Sequence, residues 1–304
     1  MIHTFSGNPL DRGDAIRRDQ QLVEAAVNHP DSLFLGFYNL DILVEDFKGL
    51  RLGWLSQNDI ANLLLTLPPI LLGIRDGIAC FAIDLSKVDD SLAKLGLGSH
   101  WTYRDCRAVA MELENHDTGI IAQARAQISW HRNHQFCSKC GDTTQQRKGG
   151  HVRRCDSCNA DHFPRTDPVV IMLIAHDDQC LLGQGFGPMV KMNMYSTLAG
   201  FIDQGESIEE AVRREVKEES GINVGDVKYH SSQPWPFPSS LMIGCQGEAI
   251  STDITIDPVE MADVRWFSKA EVADSLYRRT KDLYLPGSMA IAHHLIRSWI
   301  ENEH

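Results

Sequence analysis

Residues 200–222 read Gly200-Phe201-Ile202-Asp203-Gln204-Gly205-Glu206-Ser207-Ile208-Glu209-Glu210-Ala211-Val212-Arg213-Arg214-Glu215-Val216-Lys217-Glu218-Glu219-Ser220-Gly221-Ile222. A glycine-bearing loop runs here into a short segment crowded with carboxylates. Ser207 with Glu210 three residues on is a capping-box pattern, which predicts a helix beginning near Ile208. Gly221, just past the last carboxylate, suits the left-handed residue that closes a helix. At about 100° per residue, Glu209, Glu210, Arg213, Arg214 and Lys217 share one broad side, and Val212 and Val216 lie on the other. Glu215 and Glu219 fall in the middle of the inward face, among Ile208, Ala211 and Val212, with Glu218 beside them. A charge run is ordinarily a solvated face. That reading fails for Glu215 and Glu219, because an unpaired buried carboxylate is very costly. Two inward carboxylates one turn apart call for a cation, and hard oxygen ligands suit Mg²⁺ or Mn²⁺. Arg214 points away from that face, as a residue orienting a carboxylate would.

The same segment resembles, position for position, the signature of the Nudix hydrolases: Gly200, five residues, Glu206, seven residues, Arg214-Glu215, the aliphatic Val216, one residue, Glu218-Glu219, one residue, Gly221 and the aliphatic Ile222. The resemblance implies an α/β/α sandwich and metal-assisted cleavage of a diphosphate linked to a nucleoside.

The chain around this segment has 304 residues, room for two or three domains, with 43% hydrophobic and 23% charged residues. A net charge of −12 argues against a general nucleic-acid binder. A local exception runs from Cys137 to Arg165, where Lys139, Arg147, Lys148, Arg153, Arg154 and Arg165 outnumber Asp142, Asp156 and Asp161. That island could approach a polyphosphate or an RNA end, or be plain surface. Met1 to Pro9 has no basic start followed by an apolar run, and the apolar stretches Leu63–Ile74 and Val169–Ala175 are interrupted or too short to span a bilayer. A cytoplasmic protein with no membrane partner is expected.

Upstream, residues 1–130 read as β-rich, ending in helix. Leu33–Tyr38 and Ile42–Val44 look like strands, and Ile70–Ile74 and Ile78–Ile83 flank Asp76-Gly77, a hairpin turn. From Asp117 to His131 the residues Ile120, Ile121, Ala124 and Ile128 have helical spacing. No chemistry is visible in this segment. Next come Cys137-Ser138-Lys139-Cys140 and Cys155-Asp156-Ser157-Cys158, two CxxC pairs whose separation lets both knuckles meet one tetrahedral ion. Disulfides or redox pairs are the alternatives, and a reducing interior disfavours them. One structural Zn²⁺ per chain is expected. The single cysteines Cys80, Cys106, Cys180 and Cys245 read as small core residues.

Downstream of Asp167-Pro168, Val169–Ile174 reads as a buried strand, followed by an Asp177-Asp178 turn, a short strand at Cys180–Leu182, and finally an amphipathic helix from Ser288 to Trp299. Between them lies Ser232-Gln233-Pro234-Trp235-Pro236-Phe237-Pro238-Ser239-Ser240, in which three prolines alternate with two aromatics. Proline fixes its own φ and restrains its predecessor, so this loop presents Trp235 and Phe237 with little freedom left to lose. Either a flat ring stacks there or the aromatics form a rigid packed turn.

A Nudix box preceded by a four-cysteine ribbon and followed by this loop is similar to the NADH pyrophosphatase family, also described as NAD-capped RNA hydrolases. The resemblance is close over residues 130–300 and follows general layout before that. It implies divalent-metal ligands at the Ala199 carbonyl, Glu215, Glu219 and a later carboxylate matching Glu260. It further implies a substrate loop of Gln233, Pro234, Trp235, Pro236, Phe237, Pro238, Ser239 and Ser240, a backbone contact at Ala292 and an N-terminal arginine matching Arg107. Some members carry a Glu between the zinc knuckles and a Tyr after the fourth cysteine; the matching positions here are Gly150 and Phe163, and Phe163 can stack but has no hydroxyl.

The chain is thus expected to be an α/β (α+β) protein, with a β-rich Nudix-like domain over 1–130, a zinc ribbon over 131–164 and a catalytic Nudix domain over 165–304. The activity implied is hydrolysis of NADH or NAD⁺ to nicotinamide mononucleotide and AMP, with removal of NAD caps from RNA 5′ ends. Two or more Mg²⁺ or Mn²⁺ ions would serve it, with Glu219 the most critical carboxylate and Glu218 a second candidate for proton handling. The resemblance also implies a homodimer. Two other readings are a broader ADP-ribose-type hydrolase and a nucleotide or RNA sensor without turnover, against which the intact Glu215, Glu218 and Glu219 argue.

Overall fold

Asp76 and Gly77 turn the chain between strands Ile70–Arg75 and Ile78–Asp84 with φ of 54° and 81°. Two successive left-handed residues are what a two-residue hairpin needs to match strand twist. Leu33–Tyr38 runs parallel to Ile78–Asp84 and antiparallel to Asp41–Asp46. These strands belong to a seven-stranded sheet among the described residues. The computed structural model describes residues 2–301. It divides into two units: residues 2–166 with 235–239, and residues 167–234 with 240 onward.

In the first unit, Phe34, Leu43, Leu55, Ile60, Leu71 and Phe81 form the core of the sheet. Helix Asn115–Asn133 buries Ile120, Ile121, Ala124 and Ile128, the four residues whose spacing announced it. A small three-stranded sheet, Gln145–Arg147, Val152–Arg154 and Asp161–His162, carries the cysteine knuckles.

The second unit is built on Asp167–His176, which pairs parallel with Ser240–Ala249 and antiparallel with Gln179–Gly185 and Leu198–Phe201. Its side chains alternate between two cores. Val170, Met172 and Ile174 pack with Ala211, Val212 and Val216 of helix Ile208–Ser220 on one face. Ile171 and Leu173 pack with Val272, Leu295 and Ile296, from helices Lys269–Leu276 and Ile291–Glu301, on the other. This is an α/β/α sandwich, and burial on both faces explains the continuous apolar run. Cys80, Cys106, Cys180 and Cys245 are fully buried, and burial pushes the Cys106 and Cys180 thiols up to about 12.

Two boundaries differ from the expectation. The strand Val224–Trp235 takes in Ser232 to Trp235, so the irregular part of the aromatic segment shrinks to residues 236–239. The strand lies at the sheet edge, where Pro234 is tolerated because it interrupts no central ladder. The last helix starts at Ile291 rather than Ser288, because the buried Gln233 amide accepts from the Ile291 N–H and donates to the Met289 carbonyl. No described helix is long and apolar enough to cross a membrane.

Candidate active site

Helix Ile208–Ser220 begins at a complete capping box. Ser207 accepts from the Glu210 N–H, and the Glu210 carboxylate accepts from the Ser207 N–H. It ends at Gly221, with φ 75°. Those two ends fix its rotation, and the rotation brings Glu215 and Glu219 inward at 9% and 8% exposure.

Strand Leu198–Phe201 runs beside this helix, and Gly200 in it leaves the space that the Glu215 carboxylate occupies. A Cβ on Gly200 would stand 1.8 Å from the carboxylate carbon of Glu215. The acid therefore lies directly over the backbone next to Ala199. Arg214 holds it from the side: its Nη1 donates to Glu215 Oε1 and Glu218 Oε2, both at 2.9 Å, while Nε and Nη2 reach Glu206 and Nη2 also reaches the Phe201 carbonyl. Arg214 orients carboxylates, as its place on the helix wheel suggested. Glu206 is the member whose role sequence reasoning missed. Its carboxyl sits at about 2, held down by the Arg214 hydrogen bonds and then by the Asp203 N–H. The signal was present in the fixed distance from Gly200 to Glu206.

Glu219 has no such partner. Its Oε2 is buried without a hydrogen bond, and its carboxyl is pushed up to about 8 by burial first, then by the charges of Glu215, Glu260 and Glu218. Burial likewise raises Glu215, against the pull of Arg214. Glu260 is exposed in the turn before strand Met261–Ser268, near enough for its charge to bear on both. A hard divalent cation is the compensation this arrangement calls for. The donors are oxygen only, one is orphaned, and the like charges that raise Glu219 would turn from penalty to ligand field.

The four knuckle thiols converge on one point, as ligands of a single ion would. The Sγ atoms of Cys137, Cys140, Cys155 and Cys158 all lie within 4.8 Å of one another, with Cys137–Cys158 at 3.5 Å and Cys140–Cys155 at 3.4 Å. Tetrahedral zinc with bonds of about 2.3 Å sets sulfurs roughly 3.8 Å apart. Each knuckle closes on a left-handed residue, Gly141 at φ 85° and Asn159 at φ 58°, and the Lys139 N–H points at Cys137 Sγ from 3.4 Å. In the basic island, Arg147 pairs with Asp156 and Arg154 with Asp161, while Arg153 bonds Thr144 and His131. Much of its charge is thus spent locally.

The remaining expected contacts are scattered in character. Gln233 is fully buried, and its amide caps the last helix. Ala292 lies in the first turn of that helix, where backbone N–H groups have no intrahelical carbonyl. Trp235 and Phe237 are partly buried and touch edge to face, with 5.3 Å between centroids. Arg107, on the short helix Cys106–Val109, sets its guanidinium 4.0 Å from the Phe237 centroid and 5.9 Å from that of Trp235. Phe163 is 65% exposed. Pro234, Ser239 and Ser240 are half-buried and Pro238 is exposed.

Comparison with known proteins bears on this geometry in three adjacent stretches. Residues 31–130 match the NADH pyrophosphatase-like rudimentary NUDIX domain, residues 132–163 the NADH pyrophosphatase zinc ribbon domain, and residues 164–285 the NUDIX domain. NAD-capped RNA hydrolase NUDT12 of Homo sapiens is 37% identical over 97% of this chain and 73% of its own length. The NAD-capped RNA hydrolase of Schizosaccharomyces pombe is 33% identical over 97% and 92%. Nudix hydrolase 19, chloroplastic, of Arabidopsis thaliana is 32% identical over 98% and 86%.

Proposed function

We propose that this chain, which belongs to the NADH pyrophosphatase family of Nudix hydrolases, hydrolyses the pyrophosphate of NADH and NAD⁺ and removes the same dinucleotide from RNA 5′ ends. Water adds across the P–O–P bridge, giving nicotinamide mononucleotide and AMP, or a 5′-monophosphate RNA. The observation that carries the reading is the buried Glu215–Glu219 pair, in which Glu219 keeps an orphaned oxygen and Glu215 lies against Gly200. In the proposed site Glu215, Glu219, Glu260 and the Ala199 carbonyl hold two or more Mg²⁺ or Mn²⁺ ions. When bound, such ions neutralise phosphate oxygens and lower the pKa of water. The chain's own part is to keep Glu215 oriented through Arg214, to keep Glu219 ready for a cation, and to offer Glu218 at the rim for proton handling. The segment Gln233–Ser240, the Ala292 N–H, Arg107 and Phe163 make up the proposed substrate contacts. Gln233 acts there by fixing the start of the last helix.

A homodimer in the cytoplasm completes the reading. The thiolate ribbon suits a reducing interior, while two relatives are named chloroplastic and mitochondrial. Cell fractionation decides the compartment, and light scattering of the purified protein decides the assembly. For the activity, a panel of NADH, NAD⁺, ADP-ribose and NAD-capped RNA with product chromatography separates the possibilities. The reading expects the nicotinamide dinucleotides to be cleaved best. Equal cleavage of ADP-ribose would favour the broader hydrolase, and binding without products would favour a sensor.

A further inference from the structure

The turn at residues 235–239 belongs to the same unit as residues 2–166, and three side chains of that unit close on it. Phe5, almost fully buried, meets Phe237 and Trp235 edge-on, with centroids 5.5 Å and 5.9 Å away. Arg125 donates to the Pro236 carbonyl and sets its guanidinium 4.4 Å from the Phe237 centroid. Arg107 approaches the same ring from 4.0 Å. Phe5 is itself fixed: its φ of 69° is a left-handed value rare for an aromatic, and its N–H donates to Thr118 Oγ1 at 2.9 Å. Thr118 and Arg125 are seven residues apart on helix Asn115–Asn133, hence on one face. A single helix thus pins both the N-terminal segment and the aromatic turn.

Arg125 is an expensive residue to place there. Burial pulls its pKa below the ordinary arginine value, Arg107 adds to that pull, and its Nε is buried without a hydrogen bond. A leucine could fill the same space against Phe237 at less cost. What leucine lacks is the donor for the Pro236 carbonyl, which fixes the backbone between the two aromatics, and the cation that grips the Phe237 ring.

We propose that Arg125 and Phe5 are positioning residues for substrate selection. By fixing residues 235–237 they hold Trp235 in the orientation that receives a base-sized ring, and so bear on the preference for a dinucleotide over a diphosphate with one base. The proposal rests on the dinucleotide reading above. Its test is the ratio of kcat/KM for NADH to that for ADP-ribose in zinc-loaded wild type, Arg125→Met, Arg125→Lys and Phe5→Leu. Arg125→Met should raise KM for NADH about tenfold, the low end expected for one lost stacked base, with kcat and the ADP-ribose constants within about twofold of wild type. Arg125→Lys should recover part of the loss, and Phe5→Leu should lower the ratio in the same direction. An unchanged ratio in both Arg125→Met and Phe5→Leu, parallel loss on both substrates, or failure of both variants to fold would make the cluster a packing element and overturn the proposal. A wild type that leaves NADH intact would instead sink the functional reading, before any variant is compared.

Discussion

Glu219 combines burial, an orphaned oxygen and three like charges, which together push its carboxyl up to about 8. Glu219→Gln keeps the shape and removes the anion. Activity should fall by roughly 10²–10⁴, the range of a lost acid–base role, or further if metal is lost with it. Assays with Mg²⁺ and with Mn²⁺ check this, and a variant retaining a large share of turnover would move the site elsewhere. The same carboxyl makes a prediction about stability. Between its ordinary 4.5 and about 8, the folded metal-free chain holds a proton that the unfolded chain has released. Its favourable contribution is therefore full below the lower value and lost as pH rises through the upper one. With zinc in place and no added Mg²⁺, the wild-type melting temperature should fall relative to that of Glu219→Gln between about pH 5 and pH 8, and saturating Mg²⁺ should shrink the difference. Parallel melting curves would show that Glu219 is not strained by its surroundings.

Among the elements, the carboxylate helix was the most legible, because everything that defines it is local. Ser207 and Glu210 start it, Gly221 ends it, and a 3.6-residue period turns Glu215 and Glu219 inward. The strand Asp167–His176 was legible for a similar reason, as a run of apolar residues buried on both faces. Val224–Trp235 was not. It is an edge strand whose outer positions carry Asp226, Lys228 and His230, so it offers no continuous apolar run, and its final residues fall within the proline segment. The hold of Phe5 and Arg125 on residues 236–237 was invisible because more than a hundred residues of chain separate the partners. The aromatic turn carries its own prediction. Two guanidiniums stand within 4.4 Å of the Phe237 centroid, whereas Arg107 stands 5.9 Å from that of Trp235, so Trp235 is the ring better placed to stack, and base–aromatic stacking is worth about 1–3 kcal/mol. Trp235→Ala should cut kcat/KM for NADH by one to two decades, with Phe237→Ala acting in the same direction through the loop. A minimal diphosphate substrate should suffer much less. Equal damage to both substrates would mark the pair as packing alone.

At the scale of the whole molecule, the ribbon and the two sheets depend on different glue. The sheets have cores of their own, whereas the ribbon has two short knuckles and four converging thiols. Binding energy at such a site is folding energy. Cys155→Ser should lower zinc content from one ion per chain and reduce the melting temperature by more than about 5 °C, since each kcal/mol is worth roughly 2–4 °C at this size. Full stability without zinc, or a Cys137–Cys140 disulfide found by mass spectrometry, would overturn the structural role. The central claim is that the buried acid pair serves pyrophosphate cleavage of a nicotinamide dinucleotide, and it is met most directly by following NADH with the zinc-loaded chain and separating the products. Equal amounts of reduced nicotinamide mononucleotide and AMP should accumulate with Mg²⁺ or Mn²⁺, none without them, and almost none with Glu219→Gln. NADH left intact by the wild type, or cleaved equally well by Glu219→Gln, would contradict the account.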